Sequence, residues 1–410
     1  MSVRQTETAA VPSEPLFAVL AITTAVQGLA TFAVFALPTL APKAAEAFGL
    51  PPQFVGYQVS IIYFAAAMIS GYAGMFVRRY GAASASLAAL SACAIGMLGL
   101  STGNLAVTIF ASALIGLGYG LTNPAAAHLL LKYAPAGRRN LIFAIKQAGV
   151  PLGAMLAATM LPRLSEHIGW QSAIGVSASL LLALCIPLLS RRMRWDADAD
   201  PATGLKDGAL AGLKLVAGNP VLRSLAVTGM CFAGFQVCLI AFMVTLLVTE
   251  MGWSLIDAGL IAAVVQIAGV AGRLTWSLIA DRFGHGLTIL CGIGIIAASF
   301  GLLTATMMPS WPLAGLIAVL FGFGFSIVGW NGVYMAETAR VSGARDVGLA
   351  TGGVMIFNFG GVIAAPATFG VIAKATGSLA ATFGLFAILP LIGALALWPA
   401  IARGRSNTVR

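Results

Sequence analysis

The feature that most constrains this chain is a succession of apolar runs, each about 20 residues long, the length that crosses a bilayer as a helix. Only 9% of the 410 residues are charged and 59% are hydrophobic, against about 25% charged in soluble domains. A water-soluble fold has no means of covering so much apolar side chain, which excludes a soluble enzyme. Isolated strands cannot satisfy their backbone in lipid, so the runs are read as helices. Twelve are expected: 16–40, 54–77, 83–102, 105–131, 141–162, 169–190, 222–249, 255–279, 286–307, 311–336, 347–373 and 379–402.

One long polar connection, 191–221, interrupts the series after the sixth run and carries Arg191, Arg192, Arg194, Asp196, Asp198 and Asp200. It divides the chain into a short N-terminal tail (1–15), a first six-helix unit (16–190), a central linker (191–221), a second unit (222–402) and a C-terminal tail (403–410). The halves repeat. Gly56, Arg79 and Gly81 fall 203 positions before Gly259, Arg282 and Gly284; Gly116, Gly118 and Arg139 fall 206 before Gly322, Gly324 and Arg345. The expected fold is an all-α integral membrane protein, with 12 transmembrane helices in two pseudo-symmetric six-helix bundles. Such repeats place a solute site near the midplane between the halves.

The net charge is +10. In a soluble chain that would suggest nucleic acid; here the basic residues sit in short connections and report orientation instead. With both termini in the cytoplasm, Lys43, Arg163 and Lys374 lie outside, Lys146 and Arg273 lie within helices, and the other eighteen of the 23 Lys and Arg residues lie inside. This predicts a multi-pass protein of the cell (inner) membrane. Cys93, Cys185, Cys231, Cys238 and Cys291 all lie in apolar stretches at spacings that fit no metal motif. They are read as packing residues, and no metal or cofactor is expected.

Two loops carry a family signature. Ser277-Leu-Ile-Ala-Asp281-Arg282-Phe-Gly284-His285 follows the eighth run, and Gly74-Met-Phe-Val-Arg78-Arg79-Tyr80-Gly81 occupies the equivalent place in the first half. They resemble the loop motif of the major facilitator superfamily, Gly-x-x-x-Asp-Arg-x-Gly-Arg/Lys. Gly149-Val-Pro151-Leu-Gly153 resembles part of that family's antiporter motif. The resemblance covers the whole chain and implies a secondary transporter with rocking halves. One position departs: Arg78 stands where the family has an aspartate facing the start of the eleventh helix. A guanidinium does not suit a helix N-terminus, but Asp346 begins that helix here. A charge swap, Arg78 with Asp346, is therefore expected, with Asp281 facing Arg139 near the start of the fifth helix. Arg78, Asp281, Arg282, Arg139 and Asp346 are the candidate gating residues.

Ionisable groups inside a bilayer are costly and mark function. All thirteen acidic residues fall in tails, loops or helix ends, whereas Lys146 and Arg273 lie inside helices. Interior cations without interior acids favour an anionic solute. Gln27, Tyr63, Asn123, Gln147, Gln236, Gln266 and Asn358 lie at mid-helix depth, and Trp330, Asn331 and Tyr334 cluster in the tenth run. All are candidate solute contacts, the last group as a stacking face. His128 and His167 are read as interfacial. No Gly-x-x-x-x-Gly-Lys-Ser/Thr loop is present, so a gradient must supply the energy. The leading expectation is symport or exchange of a small organic anion by a monomer, with a proton or counter-anion as coupling partner. Uptake of a neutral or zwitterionic planar metabolite such as a vitamin, and efflux of drugs or metabolites, are the alternatives.

Overall fold

The computed structural model describes residues 15–133, 139–202 and 209–408, with the side chains of 139–141, 343–349 and 403–408, among others, left aside. Sixteen α-helices are present among the described residues. The first half contains α1 (Leu16–Thr39), α2 (Ala41–Phe48), α3 (Val55–Tyr80), α4 (Ala82–Leu100), α5 (Leu105–Tyr133), α6 (Arg139–Gln147), α7 (Gly149–Ile168) and α8 (Trp170–Trp195). A linker helix α9 (Ala209–Gly218) precedes α10 (Pro220–Thr249), α11 (Leu255–Phe283), α12 (Gly286–Thr304), α13 (Leu313–Ile327), α14 (Asn331–Thr376), α15 (Leu379–Phe386) and α16 (Ile388–Thr408).

Eleven of the described stretches are long and apolar enough to cross a membrane. The fifth expected run is not among them, because it divides at Ala148 into α6 and α7. The cause is local: Pro151 has no N–H for the Gln147 carbonyl four residues earlier, and its ring excludes that carbonyl. The tenth run also divides, α13 ending at Ile327 and α14 starting at Asn331. α14 is not one straight rod. Tyr334 and Asn358 would stand about 36 Å apart along a straight helix, yet the Tyr334 hydroxyl donates to Asn358 Oδ1 at 3.2 Å. The chain reverses between the apolar stretches Leu313–Ser342 and Ala350–Thr376.

Helices in lipid gain little from hydrophobic burial and associate through close backbone approach at small residues. Among the described residues, three such crossings join the halves of the chain. A Cβ on Gly56 of α3 would lie 2.1 Å from the Pro366 carbonyl oxygen, one on Gly259 of α11 would lie 2.0 Å from that of Ala158, and one on Gly370 would lie 2.6 Å from that of Gln53. Ser60 adds a hydrogen bond to Ile363 O at 2.6 Å. All lie toward the end that carries Lys43 and Lys374. At the opposite end Arg78, Arg79, Asp281 and Arg282 are exposed. The described conformation is thus closed on the Lys43 side. The side chains of Asp346 and Arg139 lie outside the described residues, and with them both expected gate pairs.

The linker does more than connect. Asp196 accepts from the Ala83 and Ser84 backbone N–H groups at 2.7 and 3.0 Å and from the Ser84 hydroxyl at 2.7 Å. These are otherwise unpaired donors at the start of α4, so Asp196 acts as a cap supplied from the end of α8. Asp198 accepts from Lys132 at 3.1 Å and bonds the His128 ring at 2.9 Å, both on α5. The Asp200 N–H donates to Arg78 O at 2.8 Å. The segment straps α8 across the ends of α3, α4 and α5.

The packing and the strap can each be tested. A Cβ at Gly153 would lie 2.0 Å from Gly28 O, whereas one at Gly74 meets nothing within 4 Å. Gly153→Ala should lower stability by about 1–3 kcal/mol through overpacking and Gly74→Ala should not, read as the thermal unfolding midpoint of the purified protein. For the strap, partial burial pushes the Asp198 carboxyl up, but the hydrogen bonds from His128 and Lys132 outweigh it and hold it below the ordinary carboxylate value. Its contribution is full above the unfolded value of about 3.9 and is lost as pH falls through the lower folded value. Hydrogen exchange across 196–202 should accelerate in that acid range, and in Asp198→Asn at neutral pH.

Candidate functional site

The glycine crossing of α1 and α7 builds the centre of the site. Besides the Gly153 contact, a Cβ on Gly149 would lie 2.6 Å from Thr24 O. So close an approach sets the α6–α7 junction against Gln27 of α1. Lys146, in the last turn of α6, is 2% exposed, and its Nζ donates to Gln27 Oε1 at 2.8 Å. It donates also to Asn123 Oδ1 of α5. The Thr122 hydroxyl lies 3.1 Å from the same Gln27 oxygen and 2.7 Å from Tyr119 O, between which its one proton is shared. No carboxylate neutralises the ammonium among the described residues: the one buried there is Glu337, which is paired with Arg340 at 2.5 Å.

This hydrogen bonding fixes the amides. An ammonium is donor only, so Gln27 and Asn123 must turn their oxygens toward it. Their NH2 groups then point elsewhere as donors. Gln27 Nε2 is buried and has no partner, while the Asn123 side chain is exposed. An ammonium with three N–H groups, two of them used here, stands beside two further sets of amide donors. The third ammonium N–H and the two amide NH2 groups make the cluster rich in donors, an arrangement suited to receiving a carboxylate.

Tyr63 of α3 meets Tyr119 of α5 edge-on at 5.7 Å beside this cluster. Thr122 and Tyr119 were not among the residues expected from sequence; both share the α5 turn that carries Asn123, and that spacing was the available signal. On the second half, the Trp330 ring N–H donates to Gln236 Oε1 at 2.7 Å, and Trp330 packs edge-on against Phe232 at 5.5 Å and Tyr334 at 4.8 Å. Both Trp330 and Tyr334 are fully buried. The expected stacking face is therefore covered in this conformation, and Tyr334 is held by Asn358. Gln266 is buried with its oxygen unpartnered. Gln147 is exposed and Asn331 half-buried. Arg273 reaches main-chain carbonyls: Nε donates to Val328 O at 3.1 Å and a terminal nitrogen donates to Gln147 O at 3.2 Å. The structure thus joins Gln27, Asn123 and Lys146 into one cluster, and Gln236, Trp330, Tyr334 and Asn358 into another.

The 3-(3-hydroxy-phenyl)propionate transporter of Escherichia coli (strain K12) is 27% identical over 259 residues, covering 61% of this chain and 62% of that protein. The match thus spans less than two thirds of that relative's length. The "Probable galactarate/D-glucarate transporter GudP" of Bacillus subtilis (strain 168) is 23% identical, covering 68% of this chain and 67% of that one. Among solved structures, that of the nucleoside transporter NupG superposes with a TM-score of 0.74 at 15% identity, covering 94% of this chain and 99% of that one. The peptide transporter POT in complex with sulfate gives 0.73 at 17% identity, with 96% and 98% covered. The family pattern described as Major Facilitator Superfamily matches residues 20–344. This multi-pass membrane protein therefore belongs to the Major Facilitator Superfamily of transporters.

Proposed function

We propose that the chain moves a small organic anion across the cell (inner) membrane by alternating access. The observation that carries this reading is Lys146, a buried ammonium held by two amide oxygens, beside a buried Gln27 nitrogen with no partner. An isolated buried charge is expensive, and a carboxylate seated between Lys146 Nζ and Gln27 Nε2 supplies both the missing counter-charge and the missing acceptor. Two relatives named for organic acid transport support the same chemistry. The planar neutral solute has less support, since Trp330 and Tyr334 are packed and hydrogen-bonded to the protein's own amides.

In this reading twelve spans form two six-helix bundles, 16–190 and 222–402, joined by the cytoplasmic linker 191–221. Both termini are cytoplasmic and the protein acts as a monomer. The fifth span is α6 with α7. The closed Lys43 side is then the outside, and the exposed Arg78, Asp281 and Arg282 line an open cytoplasmic side. Arg78 pairs with Asp346, and Asp281 approaches Arg139, when that side shuts. Exchange of one anion for another suits the site better than proton symport, because the buried carboxylate among the described residues, Glu337, is committed to Arg340.

Uptake into proteoliposomes tests the reading. Mono- and dicarboxylates should compete with a labelled carboxylate, neutral heterocycles should not, and Lys146→Ala should abolish uptake while the protein still inserts and purifies. Wild-type kinetics in Lys146→Ala would remove the basis for an anionic solute. Gln27→Leu withdraws one acceptor from the ammonium and one donor from the solute. It should weaken solute affinity roughly tenfold or more, as expected for a buried polar group left without its partner, measured by equilibrium binding to the purified protein.

A further inference from the structure

Arg273 is the second interior cation, and the carbonyls it holds share a property. Gln147 closes α6, and its oxygen is the one that Pro151 leaves without an N–H. Val328 is the cap residue of α13, ahead of the interruption before α14. Each is the C-terminal end of a broken helix, one in each half of the chain. A helix C-terminus carries roughly half a negative charge, so two of them facing one guanidinium come close to a counter-charge. Arg273 thus has in main-chain dipoles what Lys146 lacks.

The second-half side of this arrangement is rigid. A Cβ on Gly272 would lie 2.0 Å from Phe325 O, and one on Gly329 would lie 2.9 Å from the Gly272 carbonyl carbon. The Trp276 ring N–H donates to Phe325 O at 3.0 Å. Arg273 therefore travels with α13, while Gln147 travels with the first half. The bond between Arg273 and Gln147 crosses the interface on the same helix pair, α6–α7 and α11, that closes the Lys43 side at Ala158 and Gly259.

We propose that Arg273 is a positioning residue of alternating access: it ties the two helix interruptions together, holds the outer side shut, and leaves Lys146 as the anchor for a single carboxylate. The final clause rests on the anionic-solute reading; the tether does not. A guanidinium fork reaches two carbonyls at once, whereas a lysine ammonium is a point donor on a flexible stem. Retaining the charge without the fork should not retain the tether.

The test uses the full chain in proteoliposomes with a reporter at the outer seal, Ser60→Cys, exposed to a membrane-impermeant maleimide without any solute. Arg273→Gln and Arg273→Lys should both speed labelling of the introduced thiol roughly tenfold, the effect of losing a charge-assisted hydrogen bond. Unchanged labelling in both variants overturns the tether. Binding of benzoate, as a monocarboxylate probe, is then measured in the same proteins. Affinity within about threefold of the parent supports the proposal, a change smaller than one lost hydrogen bond to a charge would give. A tenfold loss of affinity with unchanged labelling makes Arg273 an anion anchor and overturns it. Because labelling needs no solute, a parent protein that binds no carboxylate would defeat the anion reading and leave the tether decided by the maleimide rates. Gly329→Ala wedges the interruption away from α11 with the guanidinium intact. It should also speed labelling, and no change there counts against the tether even if the Arg273 variants fail to insert.

Discussion

The rest of the structure depends on one constraint: a backbone carbonyl inside a bilayer must find a donor within the protein. Each proline in a spanning helix frees one. Pro124 frees the Gly120 carbonyl where α3 packs closely: a Cβ on Gly120 would lie 2.6 Å from Ala66 O, and the Ser70 hydroxyl, which donates to Ala66 O at 2.6 Å, lies 3.4 Å from Gly120 O. Pro151 frees that of Gln147, which Arg273 reaches from the other half of the chain. Pro162 frees that of Ala158, and there α11 comes so close that only a glycine, Gly259, fits. At these three places a helix carbonyl freed by proline meets a second helix, and two of the three lie between the halves.

The same logic separates the two interior cations. Arg273 is met by main-chain dipoles, that of Val328 in its own half and that of Gln147 across the interface, whereas Lys146 is held by side-chain amides that cannot supply charge. A charge solvated by dipoles alone is tolerable while one side of the protein is open to water and becomes costly when both sides close. Under the proposed anionic solute, closure around an empty Lys146 site would be harder than closure around one holding a carboxylate, and that single ammonium would link solute binding to conformational change.

Much of this was legible in the sequence. Lys146, Gln27 and Asn123 each stood out as polar groups at mid-helix depth, because lipid tolerates such residues only where something contacts them. Their convergence was not legible. They lie on three different helices, and what brings them together is the Gly28–Gly153 crossing, whose partners are 125 positions apart and ordinary in a chain with 48 glycines. Trp330 and Tyr334 are the contrasting case. Their residue types suggested a stacking surface, but an indole or phenol buried in apolar surroundings needs a hydrogen-bond partner of its own. Gln236 and Asn358, read as solute contacts, supply those partners. Helix boundaries were legible wherever hydropathy ended sharply, and not at Ala148 or Val328, where the chain stays apolar while its hydrogen bonding breaks.

The linker shows how a polar segment is disciplined by the ends of membrane helices. Read as a sequence, Asp196, Asp198 and Asp200 are acids following a basic cluster, an ordinary solvated connection. In the structure they alternate between tasks: Asp196 caps α4, Asp198 joins His128 and Lys132 of α5, and the Asp200 N–H meets Arg78 O. The cap also explains Gly81, where a Cβ would lie 2.1 Å from the Asp196 carboxyl carbon. The strap binds α3, α4, α5 and α8 at the end opposite Lys43, and α9 packs on α10 and α14 beyond it. The linker thus fastens the ends of α3, α4, α5 and α8 to one another before the second half begins.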